Sequence, residues 1–129
     1  MRNICFVILL LFTGILLRAQ SNKKRTPEEK AQYYTKELAE QVPIDSIQFR
    51  QIYEINLQVS NRFDSLYATK PDEIVRRKAT GFILRSRDSS YRQILTKKQF
   101  LIYDDWQREK REMREKEKKD KENSSDNKN

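Results

Sequence analysis

Enzymes working near neutral pH draw first on histidine, on a thiolate or on paired carboxylates in apolar surroundings, and this chain is poorly supplied with all three. It has no histidine, and its one cysteine, Cys5, lies inside an apolar run at the start of the sequence. Phosphate-cradling turns need several glycines, whereas beyond Gly14 there is only Gly81. The 19 acidic residues are interspersed with lysines and arginines, and no acidic pair lies in an apolar context that would shift its pKa. These residue types predict no enzyme, no cofactor and no metal centre. What remains is chemistry without bond-making: hydrogen bonds from short polar side chains, and the grip of cations and aromatic rings.

The strongest hydrogen-bonding signal is a repeated unit. Ile44-Asp45-Ser46-Ile47-Gln48-Phe49 recurs 51 positions later as Leu95-Thr96-Lys97-Lys98-Gln99-Phe100. Asp45 and Thr96 are N-cap residue types, and Gln48 and Gln99 follow three residues on, the spacing of a capping box. Ile44 with Phe49, and Leu95 with Phe100, stand just before the cap and four residues into the helix, which is the hydrophobic staple. Both units therefore predict the start of a helix. A third capping box, Thr26 with Glu29 and with Pro27 in the first turn, predicts another start.

The elements around these caps follow from periodicity. Residues 1–19 read as a secretory signal peptide: Arg2, an apolar run from Ile4 to Leu17, and Ala19 at the expected cut. That run is short of the roughly 20 residues that span a bilayer. Removing Arg2 and Arg18 lowers the formal charge from +8 by two, to +6, on 110 residues that suit one small domain. Segment 20–25 is expected to be flexible, 26–121 to be helical, and 122–129 to be disordered. A first helix carries Ala31, Tyr34, Leu38 and Val42 and stops at Pro43. A second, to about Tyr67, has a broad apolar face that includes Asn56 and Ser60. Those two polar residues either meet a facing polar side chain or the rim of a contact, or set register against a partner helix.

Lys70-Pro71-Asp72-Glu73 restarts the chain, with proline expected in the first turn of a third helix. This helix is lined on two sides: Val75, Ala79, Phe82, Ile83 and Ser86 on one, Leu84, Tyr91 and Leu95 nearly opposite. Arg76, Arg77, Lys78, Arg85, Arg87 and Arg92 run between them, and Gly81 in mid-helix marks a bend or a close contact. The fourth helix continues Phe100, Tyr103, Trp106, Lys110 and Met113 at three- and four-residue steps, then becomes a lysine and glutamate run held by i to i+4 pairs. The expected fold class is all-α.

Leu95-Thr96-Lys97-Lys98-Gln99 matches the Leu-Thr-x-x-Gln (LTxxQ) motif outright, and Ile44-Asp45-Ser46-Ile47-Gln48 matches it by type. With an expected signal peptide, four helices and an arginine-rich third helix, the chain over Thr26 to Met113 resembles the Spy/CpxP-like periplasmic family. The resemblance implies four helices in an open, curved antiparallel cradle, commonly a dimer. It implies periplasmic localisation, and either ATP-independent chaperoning of unfolding proteins or regulation of envelope-stress signalling. The motif residues look structural in that family, so Thr26, Asp45, Gln48, Thr96 and Gln99 are expected to be helix caps.

The leading expectation is a holdase-type chaperone whose second and third helices present Arg62, Phe63, Arg76, Arg77, Phe82 and Arg85 to unfolded or flexible client proteins. The alternative is a regulatory or structural envelope protein docking on one dedicated partner. A homodimer and an anionic membrane surface are further expected partners. Nucleic acid is not, because the chain is expected to be exported.

Overall fold

The computed structural model describes residues 24–126; the expected signal peptide, residues 20–23 and residues 127–129 lie outside the described residues. The described residues form four helices and no strand: α1 (Pro27–Gln41), α2 (Ser46–Ala68), α3 (Glu73–Ile94) and α4 (Lys97–Asp126).

Each helix starts where a side chain answers its orphan amides. For α1, the Glu29 amide donates to Thr26 Oγ1 at 3.2 Å and the Thr26 amide donates to Glu29 Oε2 at 2.8 Å, with Pro27 in the first turn. For α2, the Gln48 amide donates to Asp45 Oδ1 at 2.8 Å and the Asp45 amide to Gln48 Oε1 at 3.1 Å. For α4 the same box joins Thr96 and Gln99 at 3.2 and 2.9 Å. α3 differs from expectation: Asp72 is its N-cap, accepting from the Val75 amide at 2.9 Å, so Pro71 stands outside the first turn. A carboxylate at the cap satisfies an amide, which proline one position earlier cannot do.

The stops are equally local. Val42 turns extended because Pro43 disfavours helical backbone before it. α2 closes through Lys70, the one non-glycine residue with positive φ among the described residues (48°), whose amide returns to the Tyr67 carbonyl at 3.2 Å. α4 runs beyond the expected start of disorder at 122 and continues to Asp126, with Ser124 Oγ donating to the Asp120 carbonyl at 2.8 Å.

α2 packs along both α1 and α3, and α4 meets α1 and α3. The core gathers where the 42–45 and 95–96 connections lie side by side. Leu38, Val42, Ile52, Tyr91, Leu95, Phe100 and Tyr103 are buried there, with Ile44, Ile55 and Trp106 against them. Arg92 lies over the Phe100 ring at 4.2 Å and covers one edge.

Gly81 makes no close contact with another helix. A Cβ built on it comes within 3.1 Å of the Arg85 guanidinium only, the far end of an exposed, flexible side chain. Gly81→Ala is therefore expected to stabilise the fold by about 0.5–1 kcal/mol through helix propensity, read as a higher urea midpoint. A lower midpoint would mean that Arg85 cannot give way.

Candidate functional site

The two repeated units do more than cap. Gln48 Nε2 donates to Gln99 Oε1 at 2.8 Å and Gln99 Nε2 donates to Gln48 Oε1 at 3.0 Å, a reciprocal amide pair. Each amide also reaches across to the other hairpin: Gln48 to the carbonyl of Ile94, the last residue of α3, at 3.1 Å, and Gln99 to the Pro43 carbonyl in the α1–α2 connection at 2.6 Å. The four acceptors and donors are related by the same 51-residue offset as the sequences. Because each side-chain oxygen already accepts from its own cap amide, the amide nitrogen is left to face outward. A glutamate at either position could complete the box but could not donate.

Away from this clasp, the helices enclose a groove of about 430 Å³ to which all four contribute. Three- and four-residue spacing aims the stripes: Lys30, Tyr34 and Glu37 from α1; Val59, Phe63 and Tyr67 from α2; Thr80, Leu84 and Arg87 from α3; Trp106, Lys110 and Arg114 from α4. Phe63 and Tyr67 stack with centroids 6.1 Å apart, and Lys110 Nζ lies 4.6 Å from the centre of the Trp106 ring.

The floor is polar and fully paired. Thr35 Oγ1 donates to the Ala31 carbonyl at 2.7 Å, Asn56 Nδ2 donates to Thr35 Oγ1 at 3.0 Å, and the Tyr91 hydroxyl donates to Asn56 Oδ1 at 2.5 Å. One chain of hydrogen bonds thus crosses α1, α2 and α3. Asn56 and Ser60 are each 3% exposed, so both belong to this interior, and Asn56 meets facing polar groups from two helices. Among the described residues no buried side-chain polar atom lacks a partner.

A second network ties α3 to α4. Arg87 Nη2 donates to the Tyr103 hydroxyl at 2.8 Å, and Tyr103 donates to Asp88 Oδ1 at 2.7 Å. Burial pushes the Tyr91 phenol up to about 12, against the opposing pull of Arg87 and of the hydrogen bond to Asn56. Burial likewise raises Tyr103, again opposed by Arg87. Desolvation draws Arg87 downward, but Tyr103, Asp88 and Tyr91 outweigh it and its pKa is raised. Both tyrosines have folded pKa values above the ordinary value of about 10, so the stability they carry is complete below pH 10 and is lost progressively as pH rises above it. The melting temperature followed by circular dichroism is expected to fall from about pH 10 upward; a flat profile through pH 11 would contradict the burial of these phenols.

Two ion pairs stand at the groove: Lys30 to Asp64 at 2.5 Å joins α1 to α2, and Lys110 to Glu37 at 2.6 Å joins α4 to α1. The groove carries five cations, Lys24, Lys30, Arg87, Lys110 and Arg114, against two acids, Glu37 and Asp64, both paired with lysine. It can therefore attract acidic segments at a distance and hold apolar or aromatic side chains at contact.

Of the six residues expected to face clients, only Phe63 lines this groove. Arg62 is exposed, with Nη1 3.4 Å from Ser86 Oγ. Arg76 and Arg77 are exposed in the first turns of α3, where Arg77 pairs with Glu73 at 2.8 Å. Phe82 and Arg85 are exposed on the side of α3 away from Thr80, Leu84 and Arg87. Residues two apart point to nearly opposite sides of a helix, so Phe82 and Leu84 cannot share a surface. Tyr34, Tyr67, Trp106 and Lys110 were legible as members of helical rows but not as one surface, and Lys30, Glu37, Asp64 and Thr80 carried no signal in the sequence that marked them.

Comparison with protein-family models, curated proteins and solved structures gave no match to this chain.

Proposed function

We propose that this is an exported, periplasmic, ATP-independent holdase that binds unfolded or flexible polypeptide segments, as its resemblance to the Spy/CpxP-like family implies. The observation that carries this reading is the groove shared by four helices, in which Tyr34, Phe63, Tyr67 and Trp106 stand among a net excess of cations. Charge acts over about 10 Å at moderate salt and brings acidic, unfolding clients close. Aromatic and aliphatic side chains then give short-range contact that needs no fixed client sequence. Release requires no bond cleavage. In this reading the helices make an open, curved cradle, and two copies join theirs in an antiparallel dimer.

Heating a labile enzyme with the purified protein, followed by light scattering, tests the idea. Aggregation is expected to fall at equal stoichiometry, and Phe63→Ser with Tyr67→Ser to remove most of the protection, since both side chains line the groove. Unchanged scattering with the parent protein would end the proposal. Recovery of one stoichiometric partner from periplasm, with no set of unfolded proteins, would instead indicate a regulatory or structural envelope protein.

A further inference from the structure

Two rows run side by side along the outward face of α3. Val75 and Phe82 are seven residues apart, two turns of the helix, and are 50% and 64% exposed. Lys78, Arg85 and Arg92 repeat at the same seven-residue step, all exposed, and Ile74, 68% exposed, lies in line with the last of them. At about 3.6 residues per turn the two rows are neighbours on the surface. The inward side of the same helix holds the buried Ile83 and Tyr91, so this stripe is surplus to the packing.

Its charge is unbalanced. The acids of α3 are Glu73, engaged by Arg77, and Asp88, engaged by Arg87 and Tyr103. Lys78 and Arg85 form no ion pair with a described residue.

We propose that the outward face of α3 docks on an anionic phospholipid surface, with Phe82, Val75 and Ile74 entering the headgroup boundary and Lys78, Arg85 and Arg92 meeting lipid phosphates. A second copy of the chain would set one cation row against another. A lipid surface answers both rows at once, because long cationic side chains extend to the phosphates while their stems and the ring stay in the apolar boundary. Among the described residues no helix is long and apolar enough to cross a membrane, so the association lies in the interface plane. This surface is separate from the groove, and its test is independent of client binding.

The experiment is co-sedimentation of the full chain with phosphatidylcholine vesicles, with and without phosphatidylglycerol, at about 0.05 M and about 0.5 M salt. Binding is expected only to the anionic vesicles and to weaken sharply at high salt. Lys78→Glu with Arg85→Glu is expected to reduce affinity by about tenfold or more, and Phe82→Ser by several-fold. All three positions are exposed, so thermal melts of the variants should match the parent. Equal binding to neutral vesicles, or binding indifferent to these substitutions, would overturn the proposal. Capture by polyglutamate with no vesicle binding would overturn it in favour of an acidic protein partner.

Discussion

Asn56→Leu is expected to destabilise the protein by about 2–3 kcal/mol although leucine is the more apolar residue and the site is fully buried. The reason is the Tyr91 hydroxyl, which donates to Asn56 Oδ1 and would be left buried without an acceptor. Thr35 suffers less, because its hydroxyl still donates to the Ala31 carbonyl one turn back. The asymmetry makes a sharp test. Adding Tyr91→Phe to Asn56→Leu removes both members of the bond and is expected to restore most of the loss, measured by urea unfolding. If the double variant is as unstable as the sum of the singles, the network is not the source of the cost.

Gln99→Ala is the second large effect, about 2–3 kcal/mol, because one side chain accepts from the Thr96 amide and from Gln48, and donates to the Pro43 carbonyl and to Gln48. Gln48→Ala removes the matching set. Since each deletion already breaks the shared pair, the double variant is expected to cost at least about 1 kcal/mol less than the sum. Gln99→Glu separates the two duties of the residue. A carboxylate can still accept the Thr96 amide, as Glu29 does for Thr26, but it cannot donate to Pro43 and meets Gln48 Oε1 oxygen to oxygen. The same exchange in reverse at Glu29 should be nearly silent, because Glu29 serves its cap alone. Equal effects at the two positions would refute the clasp.

The caps were readable because capping is local: Thr26, Asp45 and Thr96 reach amides three residues away, and spacing alone encodes that geometry. The same holds for the stop at Val42 before Pro43. That Gln48 and Gln99 would find each other was not readable, since the contact spans 51 residues and depends on how two hairpins dock. For α3 the periodicity named two apolar sides and could not tell which would meet α2. The structure packs Ile83 and Tyr91 inward, directs Leu84 into the groove and leaves Phe82 outside. Asn56 was visible as a polar residue in an apolar row, yet its partners Thr35 and Tyr91 come from other helices.

The packing is uneven from end to end. Aliphatic and aromatic side chains and the glutamine pair fix the helices where the two short connections meet, and the buried Ala31, Thr35 and Asn56 carry the α1–α2 packing further along, whereas across the groove α4 is tied to α1 by the lysine–carboxylate contact of Lys110 with Glu37. Such contacts near water are worth about 1 kcal/mol or less apiece. Swinging α4 away from α1 there costs far less than parting the helices at the fixed end, so the molecule has the mechanics of a spring clip: a rigid pivot, one compliant arm, and an aperture that adapts to the size of what it closes upon.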